Sequence, residues 1–229
     1  MGYKPYLMAA SDDHIILKVL VGSHAHGLAG PASDTDSRSV FVLPTNTILR
    51  LHYKSGSSHW TKGEEDETAW EVGRFLFLAT RCHPLILETF LAPVLMADSW
   101  GQELRALLPA AWSPDQAFDS FVSYAANQRK KFLDRKDGRP DKYAAAYLRV
   151  LYNLCELLEK GAFTVRIVET PVGNMIERVK RGAYRTGEVI DLGEELLQEG
   201  IRRRDQCQHQ ADVSKVDEYL LRIRKAFLT

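Results

Sequence analysis

The sequence predicts an α+β protein in which strands and helices share the first 95 or so residues and helices fill the remainder. Three observations carry that expectation. The stretch IILKVLVGS at 15–23 is apolar but for one lysine, rich in β-branched residues, and ends at Gly22, as a strand buried on both faces does. From Ala69 onward the apolar residues change to helical spacing. Beyond Ser113 the segments open on proline or polar starts and keep a helical period for some twenty residues at a time. Two parts are expected, residues 1–95 and residues 96–229.

Taken in order, 15–23 is the first strand and delivers a tight turn at Gly22-Ser23. SRSVFVLP at 37–44 is a second strand, closed by Pro44, and ILRLHYK at 48–54 is a weaker third. GSSHWTKGEEDE at 56–67 is polar and acidic and suits a hairpin tip or a short strand. From Ala69, Trp70, Gly73, Phe77 and Thr80 form one stripe beside Val72, Phe75, Leu76 and Ala79, a wide apolar helix face. HPLILETFLAP at 83–93 is a short helix with Pro84 in its first turn and Pro93 after its end.

Ser113-Pro114-Asp115 reads as N-cap, first-turn proline and first-turn acid of a helix reaching about Lys136. DGRP at 137–140 interrupts the chain, and KYAAAYLRVLYNLCELLEK at 142–160 is strongly helical up to Gly161. The segment 162–190 is mixed, with VRIVE at 165–169 read as extended, and two more helices are expected near 192–204 and 213–227.

The totals bound the function. A chain of 229 residues with 45% hydrophobic and 26% charged residues can bury a substantial core and is not disordered. Its formal net charge of zero argues against holding nucleic acid by bulk charge, although a local basic face is compatible with it. Cys82, Cys155 and Cys207 are scattered and never in CxxC spacing, which suits reduced thiols and not a disulfide or zinc framework. No apolar run approaches the ~20 residues of a membrane span. MGYKPYLMAASDDH at the N-terminus has no signal-peptide core. A cytoplasmic location and no membrane partner are therefore expected.

The chemistry concentrates in VGSHAHGLAGPASDTDSRSV at 21–40. Three readings compete: an inconsequential polar loop, a metal site on the histidines, or a metal–phosphate site on the aspartates. On a strand, Asp34 and Asp36 project from one face, where two carboxylates are unfavourable unless a cation compensates them. Oxygen-only ligation at that spacing suits Mg²⁺. Gly22-Ser23 follows a buried strand directly, and the backbone N–H groups of a helix opening there favour a phosphate, with Gly27 permitting close backbone approach. His24 and His26 suggest zinc, but if Ser23 opens a helix they diverge by about 200° and cannot face one ion.

The pattern of a hydrophobic residue, Gly-Ser, Gly four residues later and then Ser-Asp-x-Asp, here VLVGSHAHGLAGPASDTDSRSVFV, resembles the DNA-polymerase-β-like nucleotidyltransferase superfamily. The likeness is nearer to the predicted nucleotidyltransferases of RNA-repair pathways. There the strand continues as "RxVFV", here Ser37 to Val42, and a "D-x-x-x-x-E" helix follows, here within DETAWEVGRFLFLATR. An "NP-x-x-x-E" motif is matched by His83-Pro84 and Glu88, and a "K-x-a-x-x-x-x-R-x-L" helix by KYAAAYLRVL, so the resemblance spans roughly 15–160.

The resemblance implies a small mixed β-sheet nucleotidyltransferase core followed by a helical C-terminal region that completes a cleft. It implies transfer of a nucleoside monophosphate, AMP in the first instance, from an NTP to an acceptor, with pyrophosphate released. RNA, including tRNA, is the favoured acceptor and ATP the favoured donor. Gly22, Ser23 and Gly27 would hold phosphates, and Asp34 and Asp36 would bind Mg²⁺ or Mn²⁺. A third carboxylate is expected among Glu64, Glu65, Asp66 and Glu67, and the "D-x-x-x-x-E" spacing from Glu71 selects Asp66. Four adjacent acids are equally what a solvated loop carries.

Lys142 and Arg149 share a helix face and read either as cations facing the triphosphate or, for Arg149, as an ion pair with Glu88 or Glu156. Ala146 stands where members often carry histidine. The basic runs at 128–131 and 202–204 lie among acids and read as solvated faces more readily than as an RNA track. Besides the enzyme, a non-catalytic, antitoxin-like nucleotide-binding or regulatory module of the same fold, or a small phosphoester hydrolase, fits the same residues.

Overall fold

The computed structural model describes residues 14–31, 33–51, 53, 59–61, 65–136 and 138–228, and of residues 59–61, 65 and 66 the backbone. The N-terminal stretch 1–13 and Glu64 lie outside the described residues. Among the described residues five strands form one mixed sheet: β1 (His14–Val21), β2 (Thr35–Val42), β3 (His59–Thr61), β4 (Glu65–Glu71) and β5 (Val94–Ala97). Their order is β3-β4-β2-β1-β5. β1 pairs antiparallel with both β2 and β5, β3 antiparallel with β4, and only β2 with β4 runs parallel.

The helices in chain order are α1 (Gly22–His26), α2 (Thr45–Ile48), α3 (Val72–Thr80), α4 (Pro84–Leu91), α5 (Ser99–Ala106), α6 (Leu108–Ala111) and α7 (Pro114–Asp134), then α8 (Pro140–Lys160), α9 (Gly173–Lys180), α10 (Thr186–Gln206) and α11 (Val213–Ala226). The expected α+β class, a small mixed sheet followed by helices, is therefore present.

Hydrophobic burial explains the order of the layers. Ile16, Leu17 and Val19 of β1 and Val40 and Val42 of β2 are wholly buried, and the same core continues into Leu148, Leu154 and Leu157 of α8. Each such side chain contributes roughly 1.5–3 kcal/mol by leaving water. α7 packs on α8, and α10 packs on both. β5 extends the sheet to residue 97, so the strands draw on both sides of position 95.

Three expectations are corrected. The strand proposed at 48–54 is absent where described: Pro44 leads into the short helix α2, while Leu49 and Leu51 are exposed. The segment is held instead by Thr45, whose N–H donates to Phe227 O (2.8 Å) and whose hydroxyl donates to Arg224 O (2.7 Å). The helix expected from Ala69 begins only at Val72, because 65–71 is a strand and Glu71 caps the helix by accepting from Gly73 N (2.7 Å). Pairing along β2 overrides the weak strand propensity of EDETAWE. VRIVE contains a 3-10 turn at Ile167–Glu169 in place of a strand, with Thr170 Oγ1 donating to Ile167 O (2.7 Å).

Other boundaries match closely. Pro84 and Pro114 occupy first turns, and α8 ends at Gly161 with φ +78°. Ser113 holds the N-cap position of α7 without a side-chain capping bond.

Candidate active site

β1 ends at Val21, whose partner across the hairpin with β2 is Asp36. That single register brings the Gly-Ser turn against the Asp-x-Asp segment. Gly22 has φ +67°, and a Cβ there would lie 2.0 Å from Asp36 Oδ2. Only glycine fits, since the left-handed backbone costs other residues about 1–2 kcal/mol and the added atom would also displace the Asp36 carboxyl. Gly22→Ala is accordingly expected to lower the melting temperature, measured by differential scanning calorimetry against wild type.

Asp36 is half-buried on β2, and Asp34 is exposed, one residue ahead of the strand. The parallel ladder pairs Asp36 with Asp66, Thr35 with Glu65 and Ser37 with Glu67. Glu67 is engaged elsewhere: it accepts from the Ser39 hydroxyl and stands 3.5 Å from Lys18 Nζ. Ser39 is Lys18's partner in the β1–β2 ladder and has the alternate parity to Asp36, so Glu67 belongs to the other face of the sheet.

α1 carries Ser23, half-buried, and closes at Gly27, also left-handed with φ +74°. A Cβ on Gly27 would lie 2.4 Å from Val168 Cγ2, so the close approach this glycine permits is to the 3-10 turn. The two histidines part company. His24 Nε2 lies 3.1 Å from Ser33 O, and His26 Nε2 lies 2.6 Å from Glu88 Oε1. Among the described residues no three side chains of metal-ligating type converge.

Glu88, 2% exposed, is the centre of a buried charge cluster. Its Oε1 accepts from Arg149 Nη1 (2.9 Å) as well as His26, and its Oε2 from Arg38 Nη1 (2.7 Å). Arg38 Nη1 also donates to Leu85 O (2.8 Å). Burial alone would raise the Glu88 carboxyl, but the facing His26, Arg149 and Arg38 outweigh it and hold it well below the usual carboxylate range. Burial, then Arg149, lowers His26, so its neutral ring donates from Nε2.

An unfolded histidine takes a proton near pH 6.5, which buried His26 resists, so folding weakens as pH falls through that value toward the lowered native pKa. Burial lowers His83 in the same direction. Chemical denaturation between about pH 7.5 and 5.5 should show this decline, and His26→Gln should flatten it.

The cluster answers one of the alternatives left by the sequence: Arg149 pairs with Glu88, while Glu156 takes Lys160 and the Thr164 N–H. Lys142 is exposed on the first turn of α8 and near enough to Lys180 to help burial lower that ammonium. Arg129 faces Glu194 at 3.3 Å, and Arg203 is bound between Glu159 and Glu199, so both basic runs include charges paired within the helical part. Sequence reasoning weighs His26 only as a zinc ligand and gives Arg38 no role beyond its place in the "RxVFV" segment; the period-two spacing of Asp36 and Arg38 is the available signal.

Cys82 and Cys155 are buried free thiols, each pushed up to about 11 by burial. Among the described residues no helix is long and apolar enough to cross a membrane.

A left-handed glycine turn held against a half-buried aspartate, with exposed Asp34 two residues before it and Asp66 in register on the next strand, draws together hard oxygen donors of the kind a divalent cation takes. No curated protein matches the chain. Among solved structures, a nucleotidyltransferase-like protein from Exiguobacterium sibiricum matches at 11% identity over 86% of this chain and 72% of that one, with a TM-score of 0.35, a likeness that carries no argument. The family model of the RNA repair pathway DNA polymerase beta family matches residues 7–180, and the chain belongs to that family.

Proposed function

We propose that the protein is a metal-dependent nucleotidyltransferase that moves AMP from ATP to an RNA acceptor, tRNA among them, and releases pyrophosphate. Family membership supports nucleotidyl transfer. The observation that carries the assignment to this site is the contact of the Gly22 turn with Asp36, together with the Asp36–Asp66 register. Residues 1–95 act as the catalytic core and 96–229 as the helical region completing the cleft. The dispersed thiols suit a reducing, cytoplasmic setting.

The donor set fits a hard divalent ion. Asp34 and Asp36 supply oxygen ligands, and Asp66 is the third carboxylate of choice because Glu67 is committed to Ser39 and Lys18. These carboxylates would hold Mg²⁺ or Mn²⁺, which when bound would supply positive charge against the charge that develops in the transfer. Gly22 and Ser23 shape the turn that receives the β- and γ-phosphates, Gly27 closes α1 against Val168 and so fixes that turn from behind, and Lys142 and Arg149 face the nucleotide from α8. The acceptor hydroxyl oxygen attacks the α-phosphorus in line, and its proton passes to Asp66. The bond from the α-phosphorus to the bridging oxygen breaks, and pyrophosphate carries that electron pair away.

The test is label transfer from each of four α-labelled NTPs, with Mg²⁺ or Mn²⁺ and a total RNA pool. The expected result is labelled RNA with stoichiometric pyrophosphate, strongest for ATP. No pyrophosphate with any NTP or acceptor class, and Asp34→Ala indistinguishable from wild type, would overturn it. NTP binding without turnover would identify the regulatory module, and nucleotide release without an acceptor the hydrolase.

A further inference from the structure

Arg38 follows Asp36 by two residues on β2, so both belong to one face of that strand, roughly 7 Å apart along it. α1 bridges the same distance from the other side. Its first residue, Gly22, lies against Asp36, and its last, His26, lies on Glu88. The buried cluster therefore adjoins the metal–phosphate site and does not stand apart from it.

The charges in the cluster do not balance. Glu88 is the carboxylate in hydrogen-bond reach of the two permanent cations, Arg38 and Arg149, with His26 kept neutral by burial; Asp36, two residues before Arg38 on the same strand face, is the next carboxylate along. Surplus charge held away from water is costly unless a counter-charge approaches. Both guanidiniums reach Glu88 through Nη1, and their side chains keep 12% and 10% exposure against 2% for Glu88. What exposure the cluster has belongs to the two guanidiniums and, at 10%, to the neutral His26 ring, while the carboxylate is shut in. A planar guanidinium anchored through one nitrogen can still present its remaining N–H groups in the fork that suits phosphate oxygens.

We infer that Arg38 and Arg149 form a clamp for a polyphosphate chain, with Glu88 as the buried anchor that holds the two guanidiniums side by side. Arg38 thereby joins the binding residues, and a chain of phosphates reaching from the Gly22 turn to the clamp would offset the surplus charge. The identity of that chain as the triphosphate of a nucleotide rests on the reading of the protein as a nucleotidyltransferase; the clamp itself is tested with inorganic polyphosphate.

Calorimetry on the full chain with inorganic tripolyphosphate, in EDTA so that no divalent ion contributes, gives the direct measurement. Wild type is expected to bind, and Arg38→Met and Arg149→Met each to weaken binding by about tenfold or more. Arg38→Lys should recover part of the loss, since charge returns without the fork. Arg181→Met, which removes an exposed arginine paired with Glu177 outside the cluster, should bind tripolyphosphate as wild type does. Wild-type binding that is absent, or undiminished in Arg38→Met, overturns the clamp.

Should the arginine variants fail to fold, crystals of wild type with tripolyphosphate decide the matter. Phosphate oxygens within hydrogen-bond distance of Arg38 and Arg149 support the clamp, and phosphates confined to the Gly22–Ser23 turn refute it. The two readings fail separately. Label transfer with a phosphate-indifferent Arg38 removes the clamp alone, and arginine-dependent tripolyphosphate binding without label transfer removes the enzyme alone.

Discussion

Asp36→Ala is expected to lower nucleotidyl transfer by on the order of 10³-fold or more, since several kcal/mol of transition-state charge stabilisation depend on the ion it would hold. Asp36 is the residue against which the Gly22 turn closes, and Asp66 is its partner in the parallel ladder. Asp36→Asn is the sharper variant, because it keeps the shape beside Gly22 and removes the charge. It should lose nearly as much activity while the melting temperature stays close to that of wild type. Glu67→Gln is the matched control on the opposite face: its amide oxygen can still accept from Ser39, and turnover should stay within about twofold. Equal losses in Glu67→Gln and Asp36→Asn would reject the assignment of the metal to this face.

The largest effect on stability is expected for Glu88→Ala. Removing the carboxylate leaves the Arg38 and Arg149 guanidiniums buried together without a counter-charge, a loss of about 3–5 kcal/mol. For a chain of this size that is a drop of roughly 6–20 °C in melting temperature. A surface salt bridge such as Arg181–Glu177 should contribute less than about 1 kcal/mol when broken.

The pH dependence of that contribution follows from its direction. Because the folded carboxyl titrates well below its unfolded value of about 4.3, its stabilisation is fully present above that value. It is lost as pH falls through the native pKa. Wild type should therefore unfold cooperatively in acid, and Glu88→Ala should show a shallower acid limb. A thermal shift of a degree or less in Glu88→Ala would show that the cluster does not hold the sheet to α8.

Local patterns made much of the frame legible. β1 and β2 are apolar runs ended by Gly22 and Pro44, and the long helices carry first-turn prolines and, in α8, a terminal glycine. Such signals lie within a few residues of one another and need no distant partner. β4 was hidden for the opposite reason: EDETAWE has little intrinsic strand character, and its backbone bonds come from β2, some thirty residues away. β5 is short, with an exposed pattern that never alternates. Arg149 could be read two ways on α8 because its partner, Glu88, is contributed by α4.

What the sequence determined by itself is the α+β class, the order of most elements and the residue types of a phosphate turn and an Asp-x-Asp pair. Tertiary structure decided how these meet. The β1–β2 register sets Asp36 against Gly22, the parallel β2–β4 register sets Asp66 opposite Asp36, and Glu88 gathers His26, Arg38 and Arg149 from three other elements. The physical reason is that spacing along a chain dictates which side chains share a face of one helix or strand. Which faces come together, and which charges must therefore share one buried volume, is decided by long-range pairing and core packing.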